Sequence, residues 1–376
     1  MPIYFDHNAT TPLASEVMEA MQPYMSGVYG NPSSVHRYGR MMRDALEQAR
    51  AQVARFAGAE VNQVVFTSGG TEANNLAIKG SMAQFDAGHI AVSSIEHACV
   101  IEPVRELQAA GWQLDLMAVD SQGQLAESTL SQAIGSQTKL VSVMAANNET
   151  GVLQNMPALV KAAKAVNPQL LFHSDLCQLA GKLPFSFSQY ELDMMTLSSH
   201  KLYGPQGAGA LIVSRKIDLQ AQITGGGQES GRRSGTENMA AIIGFGKAAE
   251  LAQLKQLQRQ QHTQVLRKRL LEALVSMAGV NVFSANVECL PNTLQFSVQG
   301  IDGETLLMQL DKKGFAVSSG SACHSEHTEP SHVLIAMKVD AVIAKGAIRV
   351  SFGEQNTVEQ VDEFINALVQ IRQQFN

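Results

Sequence analysis

Charge is scarce in this chain. Asp, Glu, Lys and Arg make up 16% of its 376 residues, and the formal net charge is only −6. That balance leaves no basic footprint for nucleic acid or for an anionic lipid surface. The basic cluster Arg267-Lys268-Arg269 falls in a Gln-rich helical stretch and reads as a solvated helix face. Long apolar runs are missing too: none approaches the roughly 18 residues that suggest a membrane span. The opening MPIYFDHNATTPL has neither the basic nor the apolar region of a secretory signal. Cysteine is confined to Cys99, Cys177, Cys289 and Cys323, far apart and without a CxxC pair. That spacing argues against a disulfide framework and for a reducing compartment. What survives these exclusions is a cytoplasmic enzyme of about two domains.

What the sequence does have is a recurring pattern: a short apolar run, a small or polar turn, then helical periodicity. The runs are Val64–Thr67, His89–Val92, Leu140–Met144, Leu170–Phe172, Met194–Leu197 and Ala210–Val213. Strands alternating with helices predict an α/β fold with a mainly parallel sheet covered on both faces. Met42, Leu46, Ala49, Val53 and Phe56 recur at helical spacing before Gly58, which is placed to end that helix. From Glu237 to about Met277 helix formers dominate, and this stretch reads as a connector into a second unit. That unit holds short strands at Leu294–Val298, Phe315–Ser318 and Ala347–Phe352, then an amphipathic helix from about Val358 to Ile371. The boundary is expected near residue 257, and the first dozen residues can pack with either part.

In an open α/β sheet, ligands bind beyond the carboxyl ends of the strands, so the residues there matter most. Thr67-Ser68-Gly69-Gly70-Thr71-Glu72 joins a strand to a helix through two glycines. Free N–H groups and a helix dipole suit a phosphate, although a plain turn capped by Thr71 explains the same residues. Asp175 ends LLFHSD, where it serves either a protonated ring nitrogen or a helix cap. Lys201 follows LSSH at the mouth of a buried strand, where low dielectric frees an amine for Schiff-base chemistry. Phosphate cradle, aspartate and lysine, in that order on successive strand ends, are the three handles that pyridoxal 5′-phosphate requires. In AIRVSF, Arg349 falls on the face opposite Ile348, Val350 and Phe352, and offers a fork that matches a carboxylate or a structural ion pair.

The segments FTSGGTEANNLAIKG, SSIEHACV, AANNETGVLQ, HSDLCQLAGKLP, SSHKLYGPQGAGAL, GGGQESGRRSGTEN and SSGSACHSEHTEPSHVL resemble those of cysteine desulfurases of the NifS/IscS type. The likeness runs from YFDHNATTP to RVSFG, nearly the whole chain. It implies the type I fold of pyridoxal-phosphate enzymes and membership of the class V aminotransferases. A large domain over residues 13–256 would hold a seven-stranded sheet, and residues 1–12 with 257–376 would form the smaller α/β domain. Lys201 would bond covalently to the cofactor aldehyde, Asp175 would pair with the ring nitrogen, and His97 would stack on the ring. Gln178 and Asn148 would bond the ring's phenolic oxygen; Gly70, Thr71, Ser198 and His200 would hold the phosphate. Thr236 would reach the phosphate of a second subunit, implying a homodimer with shared sites. Arg349 would bind the substrate carboxylate with help from Asn31 and Asn148.

The same resemblance makes Cys323 the nucleophile. L-Cysteine would displace Lys201 from the cofactor, and the freed amine would move the α-proton. Cys323 would then attack the substrate sulfur, keeping it as a persulfide while alanine leaves. Its Gly/Ser-rich loop suits a thiol that carries sulfur onward to an acceptor protein, such as an iron–sulfur scaffold. Two other readings of the segment are open. Cys323, His324 and His327 could ligate a metal, although no second ligand pair with zinc spacing accompanies them. Alternatively the chain is a selenocysteine lyase or another class V enzyme, with Cys323 incidental. Ser199 stands where many members have glycine, and Cys177 reads as a packing residue.

Overall fold

A computed structural model describes residues 2–319 and 329–375. The strands in chain order are β1 (Ile3–Tyr4), β2 (Val64–Thr67), β3 (His89–Ser93), β4 (Gln113–Met117), β5 (Thr138–Ser142), β6 (Leu171–Asp175), β7 (Met194–Ser198), β8 (Gly209–Val213), β9 (Val280–Val282), β10 (Thr293–Val298), β11 (Phe315–Ala316), β12 (Ser318–Ser319) and β13 (Ala347–Ser351). Seven of them form one sheet in the order β2-β8-β7-β6-β5-β3-β4. All neighbours in it run parallel except β8, which is antiparallel to both β2 and β7.

Successive side chains of a strand point to opposite faces, and here each face has its own core. Val64 and Phe66 of β2 and Ala210 and Ile212 of β8 join one cluster; Val65, Leu211 and Val213 join the other. Phe172 and Leu171 of β6 divide in the same way. Burial on both sides explains why these strands read as unbroken apolar runs rather than alternating ones. At the edge, β4 is largely exposed and its apolar residues alternate with Gln113 and Asp115, so its sequence carries a weaker signal.

A second sheet has the order β12-β13-β10-β9 and is antiparallel, while β1 pairs with β11 in parallel. Its core gathers Phe5, Phe296, Phe352 and Phe364, all essentially inaccessible. The two cores are joined by one helix, Met239–Ser276, of 38 residues. Phe245, Ala248 and Ala252 pack in the first core; Leu266, Leu270 and Leu274 pack in the second. The boundary expected near residue 257 therefore falls inside a continuous helix. No helix among the described residues is long and apolar enough to cross a membrane.

Candidate active site

Strand register assembles one polar edge of the large sheet. Gly209, at the start of β8, lies opposite Thr67 of β2 on one side and Ser198 of β7 on the other; Asp175 of β6 lies opposite Thr196. The turn after β2 crosses directly over this row. A Cβ on Gly209 would come within 2.6 Å of the Gly69 carbonyl carbon, so only a bare backbone admits the approach. A Cβ on Gly70 would lie 3.0 Å from Cys177 Sγ and 3.6 Å from the Ser198 Cβ. The helix Gly70–Asn75 begins with Gly69 as its N-cap, which puts Thr71 inside the first turn and exposed rather than at the cap. Beside it, Ser198 Oγ is buried and has no hydrogen-bond partner among the described residues.

Asp175 is buried, and both of its oxygens are engaged. Oδ2 accepts from Asn74 Nδ2 at 2.8 Å and Oδ1 accepts from the Cys177 amide at 2.8 Å. Asn74 is itself fully buried and donates to Cys99 Sγ at 3.0 Å as well. Burial next to this carboxylate has consequences for its neighbours. It pushes the Cys99 thiol up to about 12 and the Cys177 thiol well above its ordinary value, with Asp175 adding to both. Burial also raises the Glu96 carboxyl to about 8, again with help from Asp175. Cys177 packs against Gly70, as its reading as a packing residue anticipates.

Lys201 closes a short turn, Ser199–Lys201, that follows β7. Its Nζ donates to the carbonyls of Asn8 and of Ala9, the latter at 2.7 Å. The N-terminal segment lies along the whole turn: His200 Nδ1 meets Thr10 Oγ1 at 3.1 Å, and Thr11 Oγ1 donates to the His200 carbonyl at 2.8 Å. Burial, and then the adjacent Lys201, pull the His200 imidazole down to about 4, so it is neutral at physiological pH. Gln178 Nε2 donates to the same Asn8 carbonyl at 3.0 Å. The side chain of Ser199 is buried over Gly204, which leaves it room by having none of its own.

Arg349, on β13, is tied to this cluster through the Asn148 carbonyl, which also accepts from Asn8 Nδ2 at 3.2 Å. Its Nη2 pairs with Asp6 Oδ1 at 2.6 Å, its Nη1 donates to the Asn148 carbonyl at 3.0 Å, and its Nε is buried without a partner among the described residues. Arg349, Asn148 and His97 border a cavity of about 420 Å³. His97 caps the helix Ala98–Ala109, its Nδ1 accepting from the Cys99 amide at 3.2 Å. Two further connections bound this space. Ser318 of β12 pairs with Arg349, and Ser331 Oγ donates to Glu149 Oε2 at 2.5 Å. Glu329, Pro330 and Ser331 line the same cavity. Cys323, with His324 and His327, lies outside the described residues.

Two expected site residues stand apart from this group. Asn31 is exposed, its Oδ1 accepting from the Ser33 amide at 2.8 Å, and Thr236 is exposed just before the long helix. Other participants carry no expectation from the sequence: Asn8, Asn74, Glu96, Glu149 and Lys182. Lys182 lies only four residues after Gln178, but across a turn with Gly181 at φ +74° and not along a helix, so helical spacing does not point to it. No group of three or more metal-ligating side chains occurs among the described residues.

Comparison with known proteins adds to this geometry. Residues 3–364 match the family model described as Aminotransferase class-V. The chain is 41% identical over 374 residues to the cysteine desulfurase IscS of Dictyoglomus turgidum, covering 98% of this chain and 94% of that protein. It is 42% identical over 370 residues to cysteine desulfurase 2 of Trichormus variabilis, covering 97% and 92%. Among solved structures, a NifS-like protein superposes with a TM-score of 0.93 at 36% identity, covering 99% of this chain and all of that one.

Proposed function

The chain belongs to the aminotransferase class-V family, and from that premise we propose that it is a pyridoxal-phosphate-dependent cysteine desulfurase acting through Cys323. The observation that carries the site assignment is the register that lines up Asp175, Ser198 and the turn bearing Lys201 along one sheet edge, with Asn8 tying Lys201 to the Asn148 carbonyl that Arg349 also bonds.

The residues present fit the cofactor. Ser198 Oγ is a buried donor with no partner among the described residues, beside a glycine turn and the first amides of a helix. A phosphate satisfies such groups together. With Gly70, Thr71, Ser198 and His200, and Thr236 from a second subunit, the phosphate would be held at one end. Asp175 would take the ring nitrogen, His97 a ring face, and Gln178 and Asn148 the phenolic oxygen. Asn74 and the Cys177 amide already fix the Asp175 carboxylate in place.

When bound, pyridoxal phosphate supplies an aldehyde that condenses with amines and a ring that withdraws electrons from the substrate Cα. Lys201 would hold that aldehyde, and its amine, once free, would take the α-proton of the substrate. Asp175 would keep the ring nitrogen protonated. Arg349, with Asn148 and Asn31, binds the carboxylate of L-cysteine and fixes the sulfur's position. The Cys323 thiolate attacks that sulfur: the Cβ–S bond breaks, an S–S bond forms on the enzyme, and alanine leaves once Cβ has gained a proton. A thiol near pKa 8.5 is only a few per cent thiolate at neutral pH, so a base such as His97 accelerates the attack.

A homodimer is supported by the exposed face beside Asn31, where Met25, Tyr29, Val35, Tyr38 and Met41 all lie on the surface of the single chain. Such a patch marks an interface. In this reading residues 13–256 form the cofactor-binding domain and residues 1–12 with 257–376 the smaller one. The persulfide passes to a sulfur-acceptor protein in the cytoplasm, for iron–sulfur cluster assembly or another sulfur-containing product. The test is to supply L-cysteine and identify products. Wild type should release alanine and carry an extra sulfur on Cys323; Cys323→Ala should keep cofactor absorbance yet make no alanine. Pyruvate as the main product, or full-rate alanine formation by Cys323→Ala, sinks the proposal.

A further inference from the structure

Lys182 has no part in the chemistry described so far, yet its amine lies at the back of the site. It follows Gln178 by four residues, across a turn in which Gly181 has φ +74°, and its Nζ donates to Gln178 Oε1 at 2.8 Å and to Asn8 Oδ1 at 3.2 Å. A lysine amine offers donors to whatever oxygens surround it, so the oxygen end of the Gln178 amide is the end that faces it. The amide's nitrogen is thereby turned the other way, where it donates to the Asn8 carbonyl at 3.0 Å. That carbonyl is also an acceptor for Lys201 Nζ. The donor end of Gln178 and the Lys201 amine therefore converge on one oxygen, while Lys182 sits behind. Lys182 and Lys201 also border a common cavity of about 30 Å³.

The Asn8 amide is fixed in the same sense. Its Oδ1 accepts from Lys182 and from Asn292 Nδ2 at 3.0 Å, and its Nδ2 donates to Thr293 Oγ1 at 2.9 Å and to the Asn148 carbonyl at 3.2 Å. Lys182 is the amine of this network, and it touches both amides at their oxygens. Burial first, then Lys201 and Arg349, hold its amine well below the ordinary lysine range. In either protonation state the nitrogen can supply both donors.

We infer that Lys182 is a positioning residue that fixes Gln178 with its amide nitrogen toward the cofactor and its oxygen away. The inference rests on the proposed reading in which Gln178 bonds the cofactor's phenolic oxygen. An anionic oxygen calls for the N–H end of an amide, and a reversed amide would set two oxygens against each other.

The experiment is a double-mutant cycle on the holoenzyme, reading the rate at which bound cofactor is released to a scavenging apoenzyme. Gln178→Leu and Lys182→Met should each speed release about tenfold, the scale of one lost hydrogen bond to a charged group. The double variant should release no faster than Gln178→Leu alone, because Lys182 acts through Gln178. Lys182→Arg, which keeps a donor, should return release to within about threefold of wild type. Wild-type release from Lys182→Met, or a double variant about a hundredfold faster than wild type, overturns the inference while leaving the assignment of Gln178 intact. Wild-type release from Gln178→Leu overturns that assignment itself, and the inference with it. If Lys182→Met does not fold, the same cycle with Lys182→Ala decides between these outcomes.

Discussion

Replacing Glu96 by Gln should stabilise the protein above pH 8 and do almost nothing near pH 5. Glu96 is wholly buried at the turn before His97, and its Oε1 accepts from the Met144 amide at 2.5 Å. Its Oε2 has no partner among the described residues. Burial, with Asp175 nearby, raises its carboxyl from 4.5 to about 8. The folded protein therefore holds a proton that the unfolded chain gives up between these two values. Stability falls as pH rises from about 4.5 to about 8, and is level beyond. At about 1.4 kcal/mol per pH unit, the ionised form costs the fold up to about 5 kcal/mol. In a chain of this length that is about 6 °C in Tm. Gln presents the same shape without titrating. Scanning calorimetry of the two cofactor-loaded proteins from pH 5 to 9.5 should give midpoints within about 1 °C at the acid end. At the alkaline end the Gln variant should melt several degrees higher. Two midpoint curves that run parallel across the whole range would refute the reasoning.

Arg349→Lys keeps the charge but loses the fork, and should raise KM for L-cysteine by about 10–100-fold with kcat within about fivefold, as steady-state kinetics would show. A kcat loss with KM unchanged would mean that Arg349 acts in the chemical step and not in carboxylate binding. Gly209→Ala places a Cβ against the Gly69 backbone. It should cost about 1–3 kcal/mol and speed cofactor release about tenfold, measured by unfolding and by dialysis. Of the four cysteines, three have thiols raised by burial: Cys99 to about 12, Cys177 well up and Cys289 less so. Brief iodoacetamide treatment at pH 7.5 followed by peptide mass analysis should thus find Cys323 modified first. Equal labelling of Cys99 or Cys177 would contradict the upward shift of their thiols.

How much of this was legible in the sequence follows from how far apart the interacting residues are. The strands buried on both faces announce themselves as apolar runs, and their ends named Asp175 and Lys201 because β-strands deliver their last residues to a common edge, whereas Ser198 entered only through the family resemblance. Arg349 was legible from period-two alternation, and β13 indeed pairs it opposite Gln295, away from the Ile348 and Val350 core face. The short pieces β1 and β9 went unread, since two or three residues leave no periodicity to find. Asn8 was invisible for a different reason. Its bonds reach Gln178, Lys201 and Thr293, 170 to 285 positions away, and nothing local about HNATTP says that they exist. Asn74 likewise meets Asp175 across 101 positions. A partner set by topology leaves no trace in local pattern, and Lys182, though only four residues from Gln178, meets it across a turn that carries no helical periodicity.

The helix Met239–Ser276 behaves as a ruler. Lys201 belongs to the sheet packed on its first half, and Arg349 to the sheet packed on its second. An α-helix turns 100° and advances 1.5 Å with each residue. One residue inserted or deleted near its middle would swing the second sheet by about 100°, a little over a quarter of a turn, out of phase with the first. The spacing between the group that would hold the cofactor and the group that would hold the substrate is thus written in the length of that helix, and its residue count is far less free to drift than its composition.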